Sequence, residues 1–234
     1  PTTGAPTNAP TNAPQGRVYV FARSGSSWTE QAKLTASDSI HLTATTVWRV
    51  DFLDDSSDQV FLSDPMIRQG EFEAGIYVKA SNVALLNRNG AMTSRDVRKM
   101  SFVSSKQWTI DWKTLSDIAP RAVYDTPKWS DMTKMVFSGD VDALLAPFQS
   151  TEGMKLDIVD EKGRTQTMLP VQRFKVGLSG TRHFAVANNP GSKKVLFQLN
   201  TGMQQMRQKG EIARAYRECG FFNEKVRRWK RLPS

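Results

Sequence analysis

The sequence predicts an α/β fold, and three stretches carry that expectation. In "WSDMTKMVFSGDVDALLAPF" (129–148), Met132, Met135 and Val136 share one helical face, Gly139 stands where a helix stops, and an apolar strand-like run follows. In "SFVSSKQWTIDWKTLSDI" (101–118) the order is reversed: an apolar run leads into an amphipathic stretch with Trp108, Trp112 and Leu115 at i, i+4 and i+7. "EFEAGIYVKAS" (71–81) alternates with period two and puts Phe72, Ala74, Ile76 and Val78 on one face of a strand.

The elements follow in chain order. "PTTGAPTNAPTNAPQG" (1–16) repeats "PTNA", has nothing to bury, and is expected to be a disordered linker. "RVYVFARSGSSWTEQAKLTASD" carries two alternating runs around "SGSS" and predicts a β-hairpin within 17–40. "VWRVDFL" predicts a strand, "DDSSDQ" a loop, and "VFLSDP" a strand ended by Pro65. Thr93 or Ser94 can cap a short helix over "SRDVRKM", and Ser130 can cap the helix ending at Gly139. "TMLPV", "FKVGL" and "RHFAVAN" read as strands, the first two after the charged turn "DEKGRT". Pro190 and Gly191 break the last of them, and Leu196, Leu199, Met203, Met206 and Ala213 then trace one helical face through residues 193–219.

Composition narrows the function classes. With 234 residues, 24% charged and 39% hydrophobic, the chain suits one large domain or two small ones. No run of eighteen apolar residues exists, so membrane insertion is not expected. No signal peptide is visible at the start, as in a processed or truncated chain. Cys219 is the single cysteine, so neither an internal disulfide nor a cysteine zinc cluster can form. His41 and His183 are the only histidines, and no metal, no cofactor and no Ser-His-Asp triad is expected. Asp157, Asp160 and Glu161 sit in a charged turn without signs of a cleft, so no enzyme is expected. The net charge is +9, and Arg207–Arg231 holds nine Lys/Arg against three Glu. That excess reads as a solvated helical face and tail, with no nucleic-acid partner expected.

Two resemblances add to this. Residues 17–38 resemble one repeat of the integrin-like FG-GAP β-propellers, through "YVF", Arg23, Gly25, Trp28, Gln31, Ala32, Leu34, Ala36 and Asp38. One blade cannot close a propeller, so this is a fragment, a fused edge or coincidence. Residues 47–231 resemble the periplasmic solute-binding proteins of ABC transporters, in particular the amino-acid-binding-like family with its type II fold. "VFLSDPMIRQGEFEAGIYV" resembles the strand that leaves the first lobe after F-S-x-P and crosses the hinge. "GDVDALLAPF" resembles the G-R-x-D-A strand of the second lobe, and residues 180–221 resemble the return strand and C-terminal helices.

The resemblance implies a two-lobed body with hinge strands near 72–79 and 182–188. Residues 47–81 and 182–234 would form an incomplete first lobe, and residues 82–181 the second. It implies a monomer that captures a small polar or organic solute between its lobes for a membrane permease, in the periplasm or outside the cell. The ligand would lie at strand carboxyl ends and helix amino ends. Ser104 and Ser105 would offer hydroxyls there, Trp108 and Phe148 apolar walls, and Arg182 a carboxylate or phosphate partner, with Arg68 a further candidate. The sequence departs from the family at Ser56, where an arginine for the ligand carboxylate is usual, and at Pro147, where an aspartate for the ammonium is usual. An α-amino acid is therefore not the expected solute, and Asp142 reads as a structural residue. The alternative reading is an extracellular adhesion protein built on FG-GAP-like repeats.

Overall fold

A computed structural model describes residues 17–24, 27–35, 46–49, 60–82, 92–160 and 162–233. The tract 1–16, His41, residues 50–59 with Ser56, and Glu161 lie outside the described residues. Strands β1 (Arg17–Ser24) and β2 (Ser27–Thr35) pair antiparallel with Ser24 opposite Ser27, the hairpin that the sequence predicts.

The main body is an eight-stranded sheet. Its order is β14 (Lys230–Leu232), β11 (Phe174–Gly177), β5 (Glu73–Lys79), β8 (Ala143–Pro147), β6 (Ser101–Ser104) and β7 (Ala122–Asp125). β10 (Thr165–Pro170) also pairs with β5 and carries β9 (Leu156–Val159) as a hairpin. β6 runs parallel to both β7 and β8, whereas β5 runs antiparallel to β8. The chain therefore leaves β6 through α2 (Thr109–Ile118) to β7, then returns past β6 through α3 (Trp129–Ser138) to β8.

The two helices lie on opposite faces because the strand residues alternate. Phe72, Ala74, Ile76, Val78 and Phe102 share a buried cluster with Ile110, Leu115 and Ile118 of α2. Tyr77, Val103 and Leu144 share another with Met132, Val136 and Phe137 of α3. The strand face expected for residues 72–78 thus forms. The helical face expected for α2 does not, because the buried stripe is Ile110, Thr114, Leu115 and Ile118. Trp108 is the N-cap residue rather than part of the stripe, and Trp112 is half-buried under the Lys106 ammonium. α3 likewise starts at Trp129, with Lys128 and not Ser130 at the cap. Gly139 ends it at φ +88°, a conformation that glycine adopts without steric cost. At α1 (Ser94–Arg98) Thr93 is the cap. Its hydroxyl accepts from the Asp96 amide, while the Asp96 carboxylate accepts from the Thr93 N–H and O–H at 2.9 and 2.6 Å.

Outside the sheet, two short pairs surround a crossing. β3 (Val47–Trp48) pairs with β12 (Arg182–His183), and β4 (Val60–Leu62) with β13 (Ala185–Ala187), both antiparallel. The extended connections between these pairs and the sheet run side by side over residues 63–72 and 178–184. Hydrogen bonds join them at Ser63 N–H to Phe184 O (2.9 Å), Met66 N–H to Arg182 O (2.8 Å), Arg182 N–H to Ile67 O (3.0 Å) and Leu178 N–H to Phe72 O (3.1 Å). Of the expected hinge at 72–79 and 182–188, residues 72 and 182–184 lie in these paired connections. Residues 73–79 are a central strand of the sheet, and the crossing begins before them. The helical segment expected over 193–219 forms as two helices, α4 (Ser192–Gln208) and α5 (Glu211–Glu218), divided at Gly210 with φ +71°. The expected basic tail is partly built into the fold. β14 extends the sheet parallel to β11, and Leu232 enters the main core.

Candidate functional site

Among the described residues, a cavity of about 290 Å³ opens at the carboxyl ends of β6 and β8. That is where the chain departs from the parallel strands to opposite faces, the place where open α/β sheets hold ligands. Leu145, Ala146 and Pro147 of β8 and Ala74 of β5 form the floor. Gln107, Trp108 and Asp111 come from the start of α2, and Trp129 from the start of α3. Phe72, Leu178 and Arg182 come from the crossing and close the other side. Short loops on one rigid sheet therefore bring residues from five parts of the chain to one place.

Three physical features define this site. First, the Trp108 and Trp129 rings stack, with centroids 6.4 Å apart and planes 28° apart, making one indole wall. Second, both helices that open beside the cavity lack a side-chain cap at the N-terminus, and each carries an aspartate, Asp111 or Asp131, in its first turn that offsets the positive helix end. Third, Arg182 is part of the lining, and one of its guanidinium nitrogens donates to the Thr46 carbonyl at 2.5 Å. Among the described residues no His/Cys/Asp/Glu cluster could hold a metal ion.

Solved structures resemble this architecture. The "probable amino-acid ABC transporter extracellular-binding protein ytmK" of Bacillus subtilis matches with a TM-score of 0.51 at 13% identity, over 78% of this chain and 72% of that one. The fold is periplasmic-binding-protein-like. The substrate-binding protein AbpA of Streptococcus pneumoniae, bound to L-arginine, gives 0.44 at 15% identity over 76% of this chain and 66% of that one. An ancestral amino acid-binding protein, AncCDT-1, gives 0.41 at 17% identity over 71% and 64%. The chain thus spans just under two thirds of the length of these last two proteins. No family model matches the chain, and no curated protein matches it, so nothing extends the FG-GAP likeness.

Within this periplasmic-binding-protein-like fold, the six candidate contacts separate. Trp108 and Arg182 meet at the cavity. Ser104 and Ser105 are buried just behind it and serve the backbone. The Ser104 carbonyl accepts from the Thr126 amide at 3.0 Å, and the Ser105 hydroxyl accepts from the Gln107 amide at 3.1 Å. Phe148 does not line the cavity. It follows β8 by one residue and is fully buried with Met154 and Val226, where it meets Trp229 edge-on at 5.7 Å. Arg68 is exposed on the crossing and is likewise outside the lining. His183 faces the crossing rather than the cavity. Its Nδ1 lies 2.6 Å from the Ser63 carbonyl, which only accepts, so Nδ1 donates; its Nε2 lies 2.6 Å from the Thr181 hydroxyl.

Asp157 and Asp160, two of the carboxylates that an enzyme reading would use, are engaged in a hairpin. Asp157 accepts from the Thr167 hydroxyl at 2.5 Å. Asp160 accepts from the Arg164 and Lys162 amides and the Arg164 guanidinium, which hold its carboxyl below the ordinary range. Trp129, Gln107, Asp111, Phe72 and Leu178 were not among the sequence-selected contacts. The available signal was positional: Gln107 and Trp129 stand, like Trp108, at the start of a helix that follows a parallel strand.

Proposed function

We propose that this chain is a non-enzymatic solute-binding protein. It captures a small polar or organic solute in the cavity at the carboxyl ends of β6 and β8, and presents it to an ABC-type permease from the periplasmic or outer side of a membrane. One observation carries the reading: a single cavity takes its floor from the sheet, two walls from helix starts and its remaining wall from the crossing that joins the sheet to the rest of the chain. A solute there contacts both the sheet and the crossing, so binding biases the arrangement of the one against the other. The fold shared with an extracellular-binding protein of B. subtilis supports the transport context. Trp108 and Arg182 act as direct contacts, and Ser104 and Ser105 hold the loop that positions Trp108.

The test is a thermal-shift screen of the folded chain against amino acids, organic acids and sugars. A ligand at roughly 100 times its Kd is expected to add about 2.7 kcal/mol to stability. Trp108→Ala and Arg182→Ala should reduce that shift while both variants still melt cooperatively. Failure of every compound to raise Tm would end the capture reading.

A further inference from the structure

The last described segment of the chain has two sides, and solute capture uses neither. Val226, Trp229 and Leu232 stand three residues apart and face inward: Val226 and Trp229 pack with Phe148, and Leu232 enters the main core. Lys225, Arg227, Arg228, Lys230 and Arg231 fill the positions between them, and all five are exposed. We propose that this basic side is a docking surface for an anionic lipid membrane, held by charge alone. The choice of a membrane rests on the solute-capture reading above, which puts the chain beside a permease.

Local structure gathers the cations at one margin of the sheet. Asn223 caps a one-turn helix over Glu224–Val226, accepting from the Lys225 amide at 3.0 Å. The Trp229 N–H donates to the Val226 carbonyl at 2.9 Å, and β14 then starts beside β11, with the Lys230 N–H on the Arg173 carbonyl at 2.9 Å. Exposed Arg173 thereby joins the group as a sixth cation. Arg231 leans along the sheet, where a Cβ on Gly177 would run into its guanidinium. Lys175, buried and neutralised by Glu73 at 2.9 Å, donates to the Arg227 carbonyl at 3.3 Å and ties the segment to β11. Glu224 is the one acid in residues 223–233.

Charge and shape decide the partner. Clusters of about four to eight Lys/Arg suit anionic lipid, and each cation held at such a surface multiplies binding by about five. Four of the six here are arginines, whose planar fork pairs with two phosphate oxygens at once. The apolar side of the segment is already consumed by the core, so attachment needs no insertion and stays reversible. Nucleic acid fits less well. The ring of Trp229 is turned edge-on to Phe148 at 5.7 Å rather than offered to bases, and a one-turn helix and a three-residue strand carry the cations, not an element that enters a major groove.

Flotation of the whole chain with vesicles tests this. Mixed phosphatidylglycerol–phosphatidylcholine vesicles should carry the protein and pure phosphatidylcholine vesicles should not, and raising NaCl from about 0.05 to about 0.5 M should release it. Arg228→Gln combined with Lys230→Gln should weaken binding to the mixed vesicles roughly twentyfold at an unaltered Tm, because both side chains are exposed. Lys193→Gln combined with Lys194→Gln removes the same net charge at exposed positions in the first turn of α4, outside this segment, and should change binding by less than about twofold. If the α4 pair matters as much, net charge and not this surface is responsible, and the proposal falls. If DNA binds through Arg228 and Lys230 more tightly than the mixed vesicles do, nucleic acid is the partner and the proposal is overturned. If the mixed vesicles fail to carry the protein at low salt while a solute raises Tm, membrane docking is wrong and solute capture stands. If the vesicles bind through Arg228 and Lys230 and no solute does, the docking surface stands and the capture reading falls.

Discussion

Asp142 stands one residue before β8 and accepts from both the backbone N–H and the hydroxyl of buried Ser101, at 2.7 and 2.8 Å. Removing it leaves the Ser101 amide without that partner, so Asp142→Ala is expected to lower stability by about 1–3 kcal/mol in urea unfolding. An unchanged midpoint would mean that water replaces the carboxylate. Gly220 poses a sharper constraint. It holds φ +91°, and a Cβ there would run into the backbone of Gln149 and Ser150. Left-handed backbone alone costs a non-glycine residue about 1–2 kcal/mol. Gly220→Ala is therefore expected to destabilise by more than Gly139→Ala, whose Cβ would meet nothing within 4 Å, and paired melting curves give the comparison. At this scale the sequence was legible where chemistry is local. Asp142 reads as a strand-start residue, and a cap at Thr93 or Ser94 is legible, with Thr93 and its partner Asp96 the pair that forms. Phe148 was misplaced because a resemblance suggested its role, and the side on which a residue lies just beyond a strand end is decided by pairing, not by residue type.

The elements differ in how much of themselves they announce. β5 alternates cleanly and its Ala74–Ile76–Val78 face packs under α2, while Tyr77 is buried on the opposite face. β7, with only half-buried and exposed residues, is an outer strand and carries no alternation to detect. β14 is three residues long, and its parallel partner lies more than fifty residues upstream, so local periodicity is silent about it. The helical phase of α2 was misread because the two tryptophans dominate the pattern, yet one caps the helix and the other lies over its outer side. α4 shows what such an element does for the site. Arg207, in its last turn, donates to the Pro65 and Met66 carbonyls at 2.9 and 2.8 Å and lies 3.7 Å from the Glu71 carboxylate. It ties α4 to the crossing that bears the cavity wall. Arg207→Met keeps the stem and loses those bonds. It is expected to lower stability by about 1–3 kcal/mol and to raise amide exchange in residues 63–72 more than in β8. Equal exchange in both would show that Arg207 does not brace the crossing.

At the scale of the whole molecule, burial sets an alkaline limit. Tyr77 is fully buried in the α3-side core and donates its hydroxyl to the Met154 carbonyl at 3.0 Å. Burial raises its phenol well above the ordinary 10.0, and burial also raises Tyr216. A group whose folded value is raised contributes stability that is fully present below its unfolded value and lost as pH climbs beyond it. Stability is therefore expected to hold to about pH 10 and fall above it, with Tyr77→Phe flattening the fall. Absorbance titration of the folded chain should show part of its tyrosine signal appearing only on unfolding, and ionisation of all four at one midpoint would contradict this. The β-hairpin, the α/β class and most elements after residue 60 were legible, with β7, β9 and β14 missed; the partition at the crossing was not, because β5 joins the sheet through partners far along the chain. That partition bears on how the molecule can be taken apart. Val226 and Trp229 pack on Phe148, and Leu232 seals the core beside β11, so the sheet is completed by the last described turn of polypeptide and not by its own contiguous stretch. A recombinant fragment trimmed at residue 178 would present a raw β11 margin to its siblings and invite edge-to-edge association. Supplying residues 221–233 on a separate peptide is the remedy that the topology itself prescribes.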